Sequence, residues 1–199
     1  MAFAKRKTGG GESFPLVKWD GRVGRLYTQD REQDERGEWH SVQNDVTDGF
    51  VAAFNLAGIE HGYMRFPKGA APETVMVPMG EDTGEMPEGE NWQEGLRIQV
   101  KMPGEDFWRT LMSSAIGLWR SLDRLHDDYC KFAKQHPGKV PLVELIEVVE
   151  IKGRTTSYAP TFGIIDWVDP DEVLQGSASG QPGKAKVAAR GDMDDEIAF

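Results

Sequence analysis

From Phe107 onward the large apolar side chains recur at Leu111, Ala115, Leu118, Leu122, Leu125, Tyr129 and Phe132, a mean step close to the ~3.6 residues of an α-helix. The spacing predicts one long amphipathic helix over residues 105–136. Glu105 and Asp106 suit the positive end of its dipole, Lys131 and Lys134 the negative end, and Pro137-Gly138 stops it. Whatever else the chain builds must cover the apolar stripe of that helix.

The remaining signals are those of strands. Phe14 to Tyr27 reads as extended, broken by the turn-favouring Asp20-Gly21. Phe50 to Leu56 and Glu60 to Phe66 flank Ala57-Gly58-Ile59 and read as a hairpin. Thr74 to Met79 and Leu96 to Met102 flank an acidic run and read as a second hairpin with a solvated connection. In Val140 to Ile151, Glu144, Glu147 and Glu150 recur every three residues, as in an amphipathic helix. The β-branched content and the following Lys152-Gly153-Arg154 turn favour a strand. Thr155 to Val168 reads as a final strand, with Pro160 placing it at an edge or a bulge. Strands, one helix and two more strands make a mainly β chain with one long helix. That is the order of an OB-fold-like Greek-key barrel with an elaborated first half, and other α+β folds share it. Phe54, Phe66, Phe107, Phe162 and Trp119 are expected in the core.

Composition divides the 199 residues. Residues 1–13, with Lys5, Arg6, Lys7 and three consecutive glycines, read as a flexible basic arm rather than a secretory signal. Residues 14–173 hold all six tryptophans and form the expected domain. Residues 174–191 are rich in Gly, Ser and Ala and read as a flexible linker. Residues 192–199 form an acidic end. Nothing approaches the ~20 apolar residues of a membrane span. Cys130 stands alone, so no internal disulfide forms and a reducing cytoplasm is expected.

The net charge of −10 runs against nucleic-acid binding, which wants surplus cations. Its distribution removes the objection. Residues 80–94 carry six acids and no base, the last eight residues carry four acids and no base, and the rest of the chain is neutral.

Catalytic constellations are missing from the sequence. His40, His61, His126 and His136 stand apart without metal-ligand spacing. Gly9-Gly10-Gly11-Glu12-Ser13 lacks the end of a phosphate loop, and no Gly-x-Ser-x-Gly elbow occurs. His126-Asp127-Asp128 reads as a solvated helix face, and Cys130 as a core or boundary residue. The acids of 80–94 are too irregular for a cation loop. A non-enzymatic chain without cofactor or metal is expected.

Single strands are held by aromatic faces that stack on bases and cations that follow phosphates. Lys18, Arg22 and Arg25 surround Trp19, with Tyr27 close behind. Tyr63 and Arg65 share one face of their strand, as do Arg97, Gln99 and Lys101 opposite Leu96, Ile98 and Val100. Lys152, Arg154 and Tyr158 cluster around the last turn. Alternating cations are also the ordinary solvated face of an antiparallel sheet, so the set weighs more than its members.

The last eight residues are DMDDEIAF. A tail kept only for solubility needs no particular final residue, yet Asp192, Asp194, Asp195 and Glu196 here precede Ile197 and a terminal Phe199. One partner pocket can take the ring, pair its α-carboxylate with a cation, and meet the acids with a basic rim. This end resembles that of bacterial and bacteriophage single-stranded-DNA-binding proteins, which typically reads Asp-Phe-Asp-Asp-Asp-Ile-Pro-Phe. Asp192, Asp194, Asp195, Ile197 and Phe199 match, Glu196 keeps the charge, and Met193 and Ala198 depart. The resemblance covers eight residues and a linker. It implies an oligonucleotide-binding fold that coats single-stranded DNA with little sequence preference. It also implies a tip that recruits host or phage replication, recombination and repair proteins. Homo-oligomerisation is left open, and an adaptor without a DNA groove is the alternative. Deleting residues 192–199 is expected to abolish capture of such proteins in a pull-down while leaving oligonucleotide binding intact or modestly tighter. Undiminished capture would reduce the octet to a solubility tail.

Overall fold

The computed structural model describes residues 15–67, 72–153, 155–170 and 186–188. Eleven strands form one sheet: β1 (Leu16–Asp20), β2 (Arg25–Gln33), β3 (Trp39–Asp45), β4 (Val51–Phe54), β5 (Glu60–Arg65), β6 (Glu73–Pro78), β7 (Gln93–Lys101), β8 (Arg109–Ser113), β9 (Val140–Ile151), β10 (Ser157–Val168) and β11 (Lys186–Ala188). Among the described residues there is one α-helix, α1 (Ile116–Phe132), which lies between β8 and β9. The strand order is β10-β9-β4-β7-β8-β1-β2-β3, with β5 and β6 extending from β7. The sheet curls into a half-barrel, so the chain is mainly β with one helix, as expected.

The inner face of the curl holds the core. Alternation puts Val17 and Trp19 of β1 opposite Thr28 and Leu26 of β2, all four buried. Phe50, Phe54 and Phe162 pack ring against ring, with centroids 5.6 to 6.3 Å apart. Leu118, Leu122 and Leu125 of α1 close the open side, and burying each contributes roughly 2–3 kcal/mol. Gly117 lets the helix lie directly on β10: a Cβ there would sit 3.0 Å from Ala159 Cβ and 3.1 Å from the Tyr158 carbonyl oxygen. No helix among the described residues is long and apolar enough to cross a membrane.

Several expectations are corrected. The helix begins at Ile116, not 105. The first part of the apolar stripe is instead β8, which pairs with β7 and buries Leu111 on the inner face. Ser113 Oγ accepts the Ala115 N–H, 3.0 Å, where strand gives way to helix. Phe107 and Phe66, expected in the core, are 40% and 55% exposed, because both fall outside the strands, Phe107 in the bend before β8 and Phe66 just past the end of β5. Trp119 is partly buried against the core. Cys130 is exposed rather than packed.

Neither early hairpin forms as expected. β4 and β5 do not pair with each other. Both run along the same edge of β7, with Ala53 opposite Lys101 and Glu60 opposite Arg97. The 3-10 turn Leu56–Gly58 between them is an excursion that keeps the chain's direction. β6 and β7 are likewise separated by β5. The β1–β2 and β9–β10 hairpins form as read, and Pro160 sits on β10 beside a register shift at Thr161/Phe162. Residues 28–45, for which no element is expected, supply the β2–β3 hairpin. Within the expected linker only Lys186–Ala188 is described, as β11, parallel to Glu147–Val149 of β9.

An ion triad locks one end of the core. Arg109, whose side chain is 6% exposed, donates from Nε to both Glu105 oxygens (2.9 and 2.8 Å) and from Nη1 to Asp30 Oδ1 (2.6 Å). Its guanidinium lies 5.0 Å over the Phe107 ring. Desolvation works against the charged guanidinium, but the hydrogen bonds and charges of Glu105 and Asp30 prevail and raise its pKa further. The triad ties β8 to β2 and to the turn after β7. Arg109→Ala should lower stability by about 2–3 kcal/mol in urea unfolding, because it leaves two half-buried carboxylates facing each other. An unchanged midpoint would show the triad to be energetically idle.

Candidate nucleic-acid interface

Strand register carries one row of side chains across the outer face. Arg97 of β7 pairs with Met112 of β8, Lys18 of β1 with Tyr27 of β2, and Tyr27 with Asp45 of β3. β8 and β1 run parallel with Leu16 opposite Thr110 and Val17 opposite Leu111, so Lys18 continues the register beside Met112. A second row runs Gln99, Thr110, Leu16, Gln29 and Gln43. Adjacent strands lie ~4.8 Å apart, which puts the Arg97 and Lys18 backbones about 10 Å apart across β8. Arg25 shares the outer side of β2 with Tyr27, and the exposed Arg22 sits in the turn before it. The structure therefore brings Lys18, Arg25, Tyr27 and Arg97 onto one continuous face, and leaves Arg22 exposed in the adjoining β1–β2 turn. Met112, Gln29, Gln99 and Thr110 belong to that face as well. Their signal is a cross-strand register that no local pattern reveals.

Trp19 does not join them. It points inward, 5% exposed, and offers no ring face to a base. Lys101 is also only 5% exposed. Tyr63 and Arg65 do share a face of β5, but that face holds the protein's own acidic loop. Tyr63 Oη donates to the Gly84 carbonyl, 3.1 Å, and His61 Nε2 lies 3.0 Å from the Glu81 carbonyl. Arg65 pairs with Glu73 at 2.6 Å and lies 4.9 Å over the Trp92 ring. Lys152 is exposed between β9 and β10. Tyr158 is half-buried where β10 meets the β1–β2 turn, its N–H donating to the Gly21 carbonyl at 2.7 Å. Arg154, Asp192, Asp194, Asp195, Glu196, Ile197 and Phe199 lie outside the described residues.

The cations of the face are partly neutralised from within. Arg97 Nε donates to Glu60 Oε2 at 2.6 Å, and Arg25 lies 3.5 Å from Asp45. Asp45 is the electrostatic node. Partial burial disfavours its charge, but the Thr47 hydroxyl (2.6 Å) and N–H (2.9 Å) donate to it, and Arg25 adds its charge. Together they bring its pKa below the ordinary 3.8. Thr47 Oγ1 also accepts the buried Leu26 N–H at 2.8 Å, so one hydroxyl fixes the β2 backbone and the carboxylate that faces Tyr27.

Among the described residues no group of three or more His, Cys, Asp or Glu side chains is placed to hold a metal ion. The chain matches no protein-family model, no curated protein and no solved structure.

Thr47→Val keeps the side-chain shape, strands the Leu26 N–H and removes a hydrogen bond to Asp45. The variant should be about 1–2 kcal/mol less stable at neutral pH. Because the Asp45 pKa is depressed in the folded state, its contribution is complete above about pH 4 and lost as the pH falls through the lowered value. The gap between parent and variant should therefore narrow in acid. A gap of constant size from pH 7 to 2.5 in urea melts would exclude Asp45 from the effect.

Proposed function

We propose that the protein binds single-stranded DNA on the outer face of its curled sheet, largely without sequence preference, and recruits replication, recombination or repair proteins through its acidic C-terminal tip. In this reading the half-barrel with its packed helix is an elaborated OB-type body. The observation that carries the binding half is the alignment of Lys18, Tyr27, Arg97 and Arg25 across neighbouring strands. It supplies an aromatic side chain within a line of cations, the combination that holds unpaired nucleotides through stacking and phosphate contact. The octet ending in Phe199 supports the recruiting half.

The adaptor reading draws support from a specific observation too. Arg25, Arg65 and Arg97 each already pair with a carboxylate of the same chain, which lowers the positive potential the sheet offers to phosphates.

Fluorescence anisotropy with a labelled oligo-dT separates the two. The strand-binding protein should bind at low ionic strength, lose affinity as salt rises, and bind duplex more weakly. Lys18→Glu combined with Tyr27→Ala should weaken binding at least tenfold without changing the melting temperature, since both side chains lie on the outer face. Absence of salt-sensitive binding by the parent protein would leave the adaptor.

A further inference from the structure

A cleft of ≈ 170 Å³ opens where the β1–β2 turn meets β10, lined by Val23, Arg25, Thr47, Asp48, Val148 and Tyr158. The volume is well under the ~300–1,000 Å³ of pockets for drug-sized molecules, so one planar ring fits and a whole nucleotide does not.

The lining is divided by chemistry. Val148 and the Tyr158 ring form apolar walls, and Val23 stands at the rim, 54% exposed, with no core to join. The polar groups differ in how far they are already committed. The Thr47 hydroxyl is used by Asp45 and Leu26. Arg25 has a single 3.5 Å pairing and a side chain 44% exposed, so its fork has donors left over. Asp48 has no hydrogen-bond or ion-pair partner among the described residues, unlike Asp45 three residues before it. Ionised, it is an acceptor only.

We infer that this cleft takes one unpaired base bearing an exocyclic amino group, cytosine by ring size, with the amino group donating to Asp48, the ring between Val23 and Tyr158, and the neighbouring phosphate on Arg25. The inference rests on the strand-binding reading and adds a base preference to it. A carboxylate accepts from the N4 amino group of cytosine, whereas thymine presents a carbonyl oxygen at the same position and is repelled. Arg25 also connects the cleft to the outer rows, since Tyr27 lies two residues farther along the same side of β2.

The test compares dC and dT 15-mers by anisotropy at pH 8 and one fixed salt concentration, using the full chain and Asp48→Asn. Asparagine keeps the size of the side chain and offers a donor as well as an acceptor, so it serves both bases. The ratio of dC to dT affinity should fall by about three- to tenfold on substitution, chiefly through tighter dT binding. Val23→Ser should weaken both oligonucleotides about equally. A ratio unchanged by Asp48→Asn overturns the cleft while leaving strand binding intact. Failure of the parent chain to bind either oligonucleotide overturns the strand-binding reading itself.

Discussion

The curl of the sheet is held where the β1–β2 turn meets β10. The Tyr158 N–H reaches the Gly21 carbonyl, and Gly24 lies against Tyr158 and Val148 so closely that a Cβ would stand 2.9 and 2.8 Å from them. Gly24 also has φ of +69°, a conformation that L side chains rarely adopt. Both demands are met by the same missing side chain. The same turn sets Gly21 against Trp19, whose indole nitrogen would be 3.3 Å from a Cβ there, and fixes the position of the cleft between turn and strand. The helix depends on it as well, since Gly117 rests on the backbone of Tyr158 and Ala159.

The helix was legible where its spacing is unambiguous. Phe107, Leu111 and Ala115 are separated by steps of four, and four is a multiple of two. That segment suits one face of a strand as well as one face of a helix. Only the three-residue steps, from Ala115 to Leu118, from Leu122 to Leu125 and from Tyr129 to Phe132, break the tie, and the helix begins beside the first of them. The hairpins went astray for another reason. Neighbours in sequence usually pair, but Leu56–Gly58 shifts the chain sideways instead of reversing it, and both flanking strands keep β7 as partner. That choice is made by β7, some forty residues away.

The outer face was partly legible. Alternation in β7 separates Arg97 from Ile98 and Val100, and the same rule separates Lys18 from Val17 and Trp19. Grouping Trp19 with its flanking cations followed adjacency where the pleat divides them. The partners of the cations were out of reach. Asp45 lies across a strand from Tyr27 and beside Arg25, and Glu60 is far from Arg97 in the chain; both pairs exist only through register.

Those internal pairs change what binding would do to the surrounding solution. A phosphate that took Arg97 would have to compete with Glu60, held at 2.6 Å, and the displaced carboxylate would gather new ions as it swung free. The exchange therefore returns few condensed cations from the nucleic acid to bulk. Lys18 and Arg22, which have no ion-pair partner among the described residues, are the side chains whose phosphate contacts would release them fully. For such a surface, the slope of affinity against ionic strength counts uncommitted charges rather than all the charges in view.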